Sequence, residues 1–353
     1  MPVAISIISQ GPNGTRQSEW SAQLFHPLVL LNILCLLLKQ RPSPGTCWWK
    51  ATLTAGKQHE SPFELFVSIL QSIGVPRGKV GIDEATPFHH FGEISQVTND
   101  HQFVDARPIT AGCRSRKSDA EIYFMQTAMD MTLEVHKSAA RILRPGISAT
   151  DVVSFIDQAH KAIGSPGGST FCAVQFGEAT AYPHGVPDPQ VLADGDMVLI
   201  DTGCLVQSYH SDITRTYVFG DPGDRHREVW NAEKAAQATA FAAARIGVRC
   251  GDVDIATREF LQSIGYGPDY AVPGLPHRTG HGIGLDVHEW PYLVRSEDTI
   301  LDAGMCFSNE PMLCLYGEFG VRLEDHFYMT DQGPKWFTNP SYSIDDPFGP
   351  GSD

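Results

Sequence analysis

The sequence predicts an α+β protein in which a large pseudo-twofold domain follows a smaller N-terminal α/β domain. The chain has 353 residues, enough for two domains of ordinary size. Segments 139–142 (AARI) and 243–246 (AARI) each end a long predicted helix, and a glycine turn and a shorter helix follow each of them. Because each copy of this pattern lies next to predicted strands, we expect two similar halves with a shared site between them.

Residues 1–58 form an atypical N-terminal segment without a clear hydrophobic period. Its main feature is the apolar run 27–38, about a dozen residues long and too short to span a bilayer. The run starts late, follows few basic residues and lacks a small-residue cleavage site, so we expect a buried helix and not a secretory signal. A segment without native-like structure is the alternative.

Residues 59–115 are predicted to form a partial N-terminal α/β domain. Ser61 and Pro62 begin a helix, with proline at the first helical position. Short apolar runs predict strands at 79–83 and 103–105. The domain therefore combines a helix with at least two strands.

The large domain is predicted over residues 116–347 and has well-marked helices. Ser118 and Glu121 form a capping box at the start of the first and longest of them. We expect the polar, proline-rich residues 333–353 to be a surface extension, with residues 348–353 as the tail. The predicted helices cover residues 118–143, 148–163, 224–246 and 251–264.

Two predicted strands of this domain deliver aspartates. Asp201 follows the apolar run 197–200, and Asp212 lies near the start of the β-branched run 211–219. The residues between the strands, 205–209, allow a short hairpin. Such a hairpin would bring the two aspartate side chains together.

Two later strands carry glutamates. The predicted strand 305–315 carries Glu310, and the predicted strand 320–329 carries Glu324. The residues that join them, 315–320, have the composition of a hairpin turn.

These four acidic residues and His281 form a candidate metal site. Each acid alone is more often a turn former or an ion-pair partner. Together, in a mostly apolar setting, their charges repel one another unless cations neutralise them. A two-metal centre meets that requirement. The predicted ligands are Asp201, Asp212, His281, Glu310 and Glu324.

The composition excludes several classes of partner. The net charge of −15 argues against nucleic acid or an anionic membrane as the main partner. The eight cysteines are scattered, without a CxxC pair, which is typical of free thiols in a reducing compartment and argues against a zinc–thiolate site. We therefore expect a cytoplasmic protein.

The segment 277–289, HRTGHGIGLDVHE, resembles the signature of the Xaa-Pro dipeptidase (prolidase) and aminopeptidase P branch of the pita-bread metallopeptidases. The four acidic residues match the other motifs of that family in order and spacing. The resemblance is specific over residues 116–347. It is weaker over residues 61–115, which are similar to the family's creatinase-like N-terminal domain. Residues 1–58 do not match, because that domain should begin with strands.

The resemblance implies a dinuclear peptidase that hydrolyses Xaa-Pro bonds through a metal-bridging hydroxide. Asp201 would chelate one metal. Asp212 and Glu324 would bridge both metals. His281 and Glu310 would complete the second site. Oxygen-rich ligation with a single imidazole suits Mn²⁺ or Co²⁺, with Fe²⁺ or Zn²⁺ as alternatives.

The resemblance also implies catalytic and substrate-binding residues. Glu310 would be the general base. His288 and His184 match positions that donate hydrogen bonds to the tetrahedral oxyanion, and His184 would also bind substrate. His277 and Arg322 match positions used by the proline-handling branch, and the guanidinium fork of Arg322 suits a carboxylate or a neighbouring acid. The implied partners are short peptides that contain proline, and a second copy in a homodimer.

Two other functions are open at this point. The same fold supports hydrolysis of small metabolites, as in ectoine hydrolase, because a fold does not fix a function. A binding protein on an inactive peptidase scaffold is the other alternative, although the complete ligand set argues against it. The choice between dipeptidase and aminopeptidase depends on the N-terminal part of the chain.

Overall fold

The computed structural model describes residues 3–8, 32–35, 59–72 and 77–349. Contacts divide the chain into two compact units, Met1–Cys113 and Arg114–Asp353. The finer division into four parts, with limits at residues 58, 115 and 347, stays a prediction. Among the helices of the described ranges, none combines the length and the apolar character needed to cross a membrane.

The first unit is built on a four-stranded sheet of order β2-β1-β3-β4, in which β3 is parallel to β1 and β4. Helix α1 begins where the sequence predicted, because Ser61 Oγ accepts a hydrogen bond from the Glu64 backbone N–H at 3.3 Å. Phe66, Leu70, Val80 and Ile94 form its small core. The elements that lie wholly or largely in this unit are β1 (Val3–Ile8), β2 (Asn32–Cys35), α1 (Pro62–Ser72), β3 (Gly78–Ile82), α2 (Phe88–Val97), β4 (His101–Asp105) and α3 (Arg107–Ser115).

The apolar run 27–38 contains a strand, so the prediction of a buried helix is wrong at residues 32–35. There β2 pairs antiparallel with β1. An apolar run without a polar face does not distinguish strand from helix by its period, and here the pairing of the backbone decides. The strands β1 and β2 also lie in a segment where the sequence indicated none. The rest of the run lies outside the described residues.

The second unit begins with the two predicted helices, and both are confirmed. The Ser118 side chain accepts from the Glu121 backbone N–H, and the Glu121 side chain accepts from the Ser118 backbone, which completes the predicted capping box. The Ser148 side chain caps the second helix. The first half of this unit contains α4 (Asp119–Ile142), α5 (Ala149–Ile163), β5 (Phe171–Phe176), a 3-10 helix (Gly177–Ala181), β6 (Met197–Gly203), β7 (Leu205–Val206), β8 (Tyr209–His210) and β9 (Ile213–Val218).

The second half repeats the pattern of two helices on an antiparallel sheet. In the first half α4 and α5 contact the sheet β5-β6-β9, and in the second α6 and α7 contact the sheet β11-β10-β12-β15-β16. This arrangement confirms the predicted α+β class. The second half contains α6 (Asp224–Ala243), α7 (Cys250–Ser263), β10 (Gly280–Gly282), β11 (Glu289–Leu293), β12 (Cys306–Asn309), β13 (Met312–Leu315), β14 (Phe319–Arg322), β15 (Asp325–Thr330) and β16 (Gly333–Trp336).

The aspartate-bearing strands pair as predicted. Strands β6 and β9 are antiparallel, with Asp201 opposite Thr214, and the hairpin β7–β8 lies between them along the chain. Gln207 and Ser208 form its turn with φ of 50° and 70°. Asp201 itself lies inside β6, because the ladder continues to Thr202.

The two glutamate-bearing segments are broken strands, so the prediction of two continuous strands is wrong. The first segment divides into β12 and β13 at Glu310–Pro311, and the second into β14 and β15 at Leu323–Glu324. Pro311 has no N–H to continue a ladder. At these breaks the chain leaves the five-stranded sheet, which contains β12 and β15, for the hairpin β13–β14. Each glutamate therefore lies where the chain changes sheets.

The C-terminal residues are more closely packed than predicted. Strand β16 extends the sheet, with Trp336 opposite Phe327, and the Trp336 ring stacks on Phe241 at 4.1 Å. Phe337 and Ile344 are buried. The prediction of a surface extension over residues 333–353 is thus wrong for this part, because Phe337 and Ile344 pack into the hydrophobic core of the unit.

Candidate metal centre

The two aspartates of the predicted site lie together. Asp201 on β6 and Asp212 just before β9 lie close enough for the charge of Asp201 to help raise the pKa of Asp212. In each residue Oδ1 is buried and has no hydrogen-bond partner among the described residues. A buried carboxylate oxygen without a donor is destabilising unless a cation or another donor satisfies it.

His281 is held on β10 with one nitrogen facing the acids. Its backbone N–H donates to Ser308 Oγ at 2.8 Å, and its Nδ1 donates to the carbonyl oxygen of Gly282 at 3.0 Å. In the neutral ring, the Nε2 lone pair is therefore available as a ligand. Nε2 lies 3.3 Å from Glu310 Oε1 and 3.6 Å from Asp212 Oδ2.

The glycines beside His281 are required by close backbone approach. A Cβ at Gly280 would lie 2.2 Å from the carbonyl oxygen of Ser308, and one at Gly282 would lie 2.4 Å from that of Glu289. Both distances are too short for real atoms, so only glycine lets β10 pass between its neighbours. The glycines of the segment 277–289 thus have a structural role, in addition to the chemical role expected of its histidines.

Glu324 completes the group from the opposite side. Its Oε2 accepts a hydrogen bond from Thr214 Oγ1 at 2.8 Å, which fixes the carboxylate. Its Oε1 is buried and has no hydrogen-bond partner in the described ranges, and it lies 3.8 Å from His281 Nε2. Asp212, His281 and Glu324 therefore lie together, with Glu310 beside His281 and Asp201 held by Arg322.

One residue that the sequence reasoning missed also belongs to this group. Ligand atoms of Asp212, His281, Glu324 and His326 all lie within 4.8 Å of one another. His326 follows Glu324 by two residues, and residues two apart on a strand face the same side. The predicted strand 320–329 already contained both residues, so this alternation was the signal that could have identified His326.

The electrostatics of the group fit divalent cations. Burial, followed by Glu324 and Asp201, raises the pKa of Asp212 well above its usual range. Burial, followed by Glu310 and Asp201, does the same to the pKa of Glu324. Burial raises the pKa of Glu310 to about 7, and burial lowers the pKa of His281 well below its usual value. Bound cations would remove this repulsion and satisfy the unpartnered atoms.

Arg322 lies against the predicted ligands. Its Nη2 donates to Asp201 Oδ2 at 2.5 Å and its Nε donates to Thr214 Oγ1 at 3.0 Å. Although burial opposes it, the charge of Asp201, followed by that of Glu324, raises the pKa of Arg322. Arg322 thus pairs with the neighbouring acid Asp201, which is one of the two partners that the sequence analysis gave for its guanidinium group.

His277 lies near Arg322. Its Nδ1 donates to the carbonyl oxygen of Arg278 at 2.6 Å, while Nε2 is buried and has no hydrogen-bond partner in the part of the chain that the structure describes. Burial, followed by the charge of Arg322, lowers the pKa of His277 to about 3. The ring is therefore neutral at physiological pH, with a free acceptor nitrogen.

His288 and His184 lie at the exposed side of the group. The His288 ring lies 4.0 Å from the His281 ring, and its Nδ1 accepts a hydrogen bond from Arg278 Nη2 at 3.1 Å. Burial, followed by the charge of Arg278, lowers the pKa of His288 to about 4. His184 is exposed in the loop after Pro183, close enough to influence His288 electrostatically.

A buried polar network supports the strands behind the glutamates. Arg215 Nη2 donates to Asp325 Oδ1 at 2.7 Å, and both side chains are fully buried. Gln237 Nε2 donates to Asp325 Oδ2 at 3.1 Å and to the carbonyl oxygen of Leu323 at 2.9 Å. Asn309 Nδ2 donates to the backbone of Gln237 at 2.8 Å. These bonds fix the two chain breaks at which Glu310 and Glu324 lie.

Comparison with known proteins agrees with this geometry. Residues 124–331 match the sequence profile of metallopeptidase family M24. A putative dipeptidase, YkvY, of Bacillus subtilis is 33% identical over 81% of this chain and 77% of its own length. A Xaa-Pro dipeptidase of Pyrococcus horikoshii is 30% identical over 73% of this chain and 72% of its own. The crystal structure of an X-Pro aminopeptidase from Thermotoga maritima has a TM-score of 0.71 and 27% identity, covering 80% of this chain and 79% of that one.

Proposed function

Because the chain belongs to metallopeptidase family M24, we propose that it is a metal-dependent peptidase that hydrolyses Xaa-Pro bonds. Its second unit has the pita-bread fold that the sequence resemblance implied. Similar proteins are a Xaa-Pro dipeptidase and an X-Pro aminopeptidase, which supports proline-containing peptides as the substrate class. Short peptides are therefore the proposed partners.

One observation carries the proposal: acids from separate strands converge with His281 and leave buried oxygens without hydrogen bonds. Such a cluster is destabilising by itself and is expected where cations bind. Asp201, Asp212, His281, Glu310 and Glu324 would hold two divalent ions, with Mn²⁺ or Co²⁺ proposed first. When bound, the ions would polarise the scissile carbonyl and lower the pKa of the attacking water.

The residues of the chain supply proton transfer and orientation. Glu310 would take the proton of the attacking water, and its position 3.3 Å from His281 Nε2 supports that role. His288 would donate from Nε2 to the developing oxyanion, because Arg278 donates to its Nδ1 and so leaves the proton on Nε2. His184, in the exposed loop, would be the second donor and a substrate contact.

His277 and Arg322 would bind the substrate. The free Nε2 of His277 is an acceptor that suits the substrate amine or a bound water. Arg322 would orient either the substrate or Asp201, with which it pairs. Arg322 pairs with a predicted ligand and His277 lies near Arg322, which supports these roles.

The test uses the purified protein loaded with Mn²⁺. Gly-Pro, Ala-Pro and the tripeptide Ala-Pro-Ala are assayed for release of the N-terminal residue, with Ala-Ala as the comparison. We expect hydrolysis of at least one Xaa-Pro peptide and little hydrolysis of Ala-Ala. The dipeptide-to-tripeptide ratio then separates a dipeptidase from an aminopeptidase. Full metal occupancy without turnover of any Xaa-Pro peptide would end the proposal.

Assembly and location are also proposed. The family resemblance supports a homodimer, which light scattering on the purified protein tests directly. The cysteines at positions 113, 172, 204, 250, 306 and 314 are unpaired, which supports a reducing compartment such as the cytoplasm. A dimer mass in solution and cytoplasmic fractionation are the expected results.

A further inference from the structure

His326 faces the candidate metal centre from strand β15. The side chain is fully buried, and it lies two residues after Glu324. Asp325, the residue between them, points the other way and accepts from Arg215 Nη2 at 2.7 Å. Because successive side chains of an extended chain alternate, Glu324 and His326 share the face opposite to that ion pair.

The cross-strand neighbour of His326 confirms this direction. His326 is paired with Ser308 in the β12–β15 ladder, and Ser308 Oγ accepts from the backbone N–H of His281. Directly opposed residues of an antiparallel pair project to the same face. The His281 and His326 rings lie 6.1 Å apart in an edge-to-face arrangement. Both imidazoles therefore border the same space.

The two ring nitrogens of His326 lack hydrogen-bond partners of normal geometry among the described residues. Both nitrogens are buried, although the backbone of Asp212 lies near the ring. Nε2 lies 4.0 Å from Glu324 Oε1, beyond hydrogen-bond distance. A buried polar group left in this way is costly unless a ligand satisfies it. The ligand would be shared with Asp212, His281 and Glu324, whose ligand atoms lie within 4.8 Å of it.

We propose that His326 is a further metal ligand, so that two imidazoles, those of His281 and His326, contribute to the centre. The assignment rests on the proposed function, because it concerns the same pair of cations. A second imidazole shifts the preference of the centre from Mn²⁺ towards Fe²⁺ or Zn²⁺, since imidazole suits these ions and carboxylate oxygens suit Mn²⁺. The sequence alone, with one predicted imidazole, favoured Mn²⁺ or Co²⁺.

Proton NMR of the Co²⁺-loaded protein counts the imidazole ligands without reference to activity. Each histidine bound to Co²⁺ through one nitrogen carries an exchangeable N–H on the other, and its resonance is strongly shifted by the paramagnetic ion. We expect two such resonances in the wild type, which disappear in D₂O. His326→Gln should remove one and His281→Gln the other. A single resonance in the wild type, lost only in His281→Gln, overturns the assignment.

A control variant, a second substitution of His326 and a metal-affinity ratio complete the test. His226→Gln is the matched control, because His226 is a partly buried histidine at the start of α6 and should leave both resonances in place. If His326→Gln does not fold, the wild-type count decides, and His326→Val provides a second variant of strand-compatible shape. The ratio of Zn²⁺ to Mn²⁺ affinity should fall about tenfold or more without His326, and an unchanged ratio contradicts the assignment.

Failure of this assignment is distinguishable from failure of the proposed function. Two shifted resonances without turnover of any Xaa-Pro peptide would leave His326 as a ligand and overturn the peptidase. One resonance with normal turnover would leave the peptidase and overturn the ligand. The two readouts, spectrum and hydrolysis, are measured on the same preparation.

Discussion

Among the single residues, Glu310 has the most demanding proposed role. Its Oε1 lies close to His281 Nε2 and 3.4 Å from Ser308 Oγ, at the edge of the candidate metal centre. We expect Glu310→Gln to lower kcat for Ala-Pro by about 100-fold or more, because proton transfer by a positioned base contributes about 10²–10⁴-fold. The measurement is kcat at saturating Mn²⁺, with metal content determined by elemental analysis.

The matched control is Glu318→Gln. Glu318 is an exposed glutamate in the β13–β14 turn that pairs with Arg225. The control should retain the wild-type kcat and metal content. A wild-type kcat in Glu310→Gln is the result that rules out its role as general base.

The buried pair Arg215–Asp325 should matter for stability. Both side chains are fully buried, and the pair supports the chain break at Glu324. Arg215→Met leaves the Asp325 carboxylate buried without its cation, so we expect a loss of about 3–5 kcal/mol in the free energy of unfolding. Denaturant unfolding in the presence of a chelator measures it, so that metal binding does not contribute.

The exposed pair Arg225–Glu318 provides the comparison for that loss. Arg225→Met should cost less than about 1 kcal/mol, because solvent screens surface ion pairs. Adding Asp325→Asn to Arg215→Met should recover part of the loss, since it removes the uncompensated charge. Equal effects of the buried and the exposed substitutions contradict the argument.

At the level of the elements, the helices of the second unit could be predicted from the sequence because their signals are local. Ser118 and Ser148 cap α4 and α5 through contacts only three residues long. The breaks at Glu310–Pro311 and Leu323–Glu324 could not be predicted, because they depend on which sheet each strand joins. The strand β2 was missed for the same reason, since its pairing with β1 is non-local.

In the candidate metal centre too, some features could be predicted from the sequence and others depend on contacts between distant residues. Five candidate ligands follow from the sequence because their order and spacing resemble a family signature, and the structure brings Asp212, His281 and Glu324 together. The pairing of Arg322 with Asp201 and the direction of His326 depend on contacts between distant strands. The amino-acid sequence contains the alternation that places His326 beside Glu324, but only the structure fixes which face of the strand meets the acids.

Gly320 provides a test of how β14 is held. A Cβ at this position would lie 2.3 Å from the carbonyl oxygen of Thr180, and the Gly320 backbone N–H donates to Thr180 Oγ1 at 2.9 Å. We expect Gly320→Ala to cost about 1–3 kcal/mol, because the added methyl forces β14 away from the 3-10 helix. The free energy of unfolding is measured by denaturant titration.

Gly167→Ala is the control for this substitution. Gly167 has no atom within 4 Å of an added Cβ and does not require a positive φ. The change should leave stability within about 0.5 kcal/mol of the wild type or raise it slightly. A similar loss in both variants shows that the contact of β14 with Thr180 is not the cause.

The packing of α4 on the sheet predicts a pH dependence of stability. His136 on α4 is buried and donates from Nε2 to the carbonyl oxygen of Ile213 at 2.9 Å. Burial, followed by the charge of Arg215, lowers its pKa from 6.5 to about 3. Between those values the unfolded chain binds a proton that the folded chain does not, so stability falls as pH decreases through this window.

The expected contribution of His136 is about 1.4 kcal/mol lost between pH 7.5 and 5.5, from the protonation of the unfolded imidazole. In His136→Gln, whose amide can also donate to the Ile213 carbonyl, the loss over this range should be smaller by that amount. Denaturant unfolding at both pH values measures the difference. An unchanged pH dependence excludes His136 as a source of it.

At the scale of the whole molecule, the candidate metal centre links the two halves of the second unit. Asp201 and Asp212 come from the first half, and His281, Glu310 and Glu324 come from the second. Bound cations would therefore stabilise the folded arrangement of both halves against the unfolded chain. The first unit, Met1–Cys113, contributes none of these residues.

Metal binding should accordingly stabilise the protein, and the protection should be greatest in the strands that carry or adjoin the candidate ligands. At a free Mn²⁺ concentration about 100 times Kd we expect about 2.7 kcal/mol of added stability, and EDTA should reverse it. Hydrogen exchange measured by mass spectrometry should slow in peptides that contain β6, β9, β10 and β15. Peptides that contain β3 and β4 should change little, since local opening there does not release the cations.

Asp212→Asn separates this linkage from a general effect of salt. Asp212 has an unpartnered oxygen in the candidate metal centre and lies near Asp201 and Glu324, so its loss should abolish most of the Mn²⁺-dependent protection. An equal ionic strength of NaCl should not reproduce the effect, because it acts by screening. Protection that is the same in Asp212→Asn, or that spreads evenly to β3 and β4, would show that the cations bind elsewhere. In that case the convergence of buried acids would need a cause other than metal ligation.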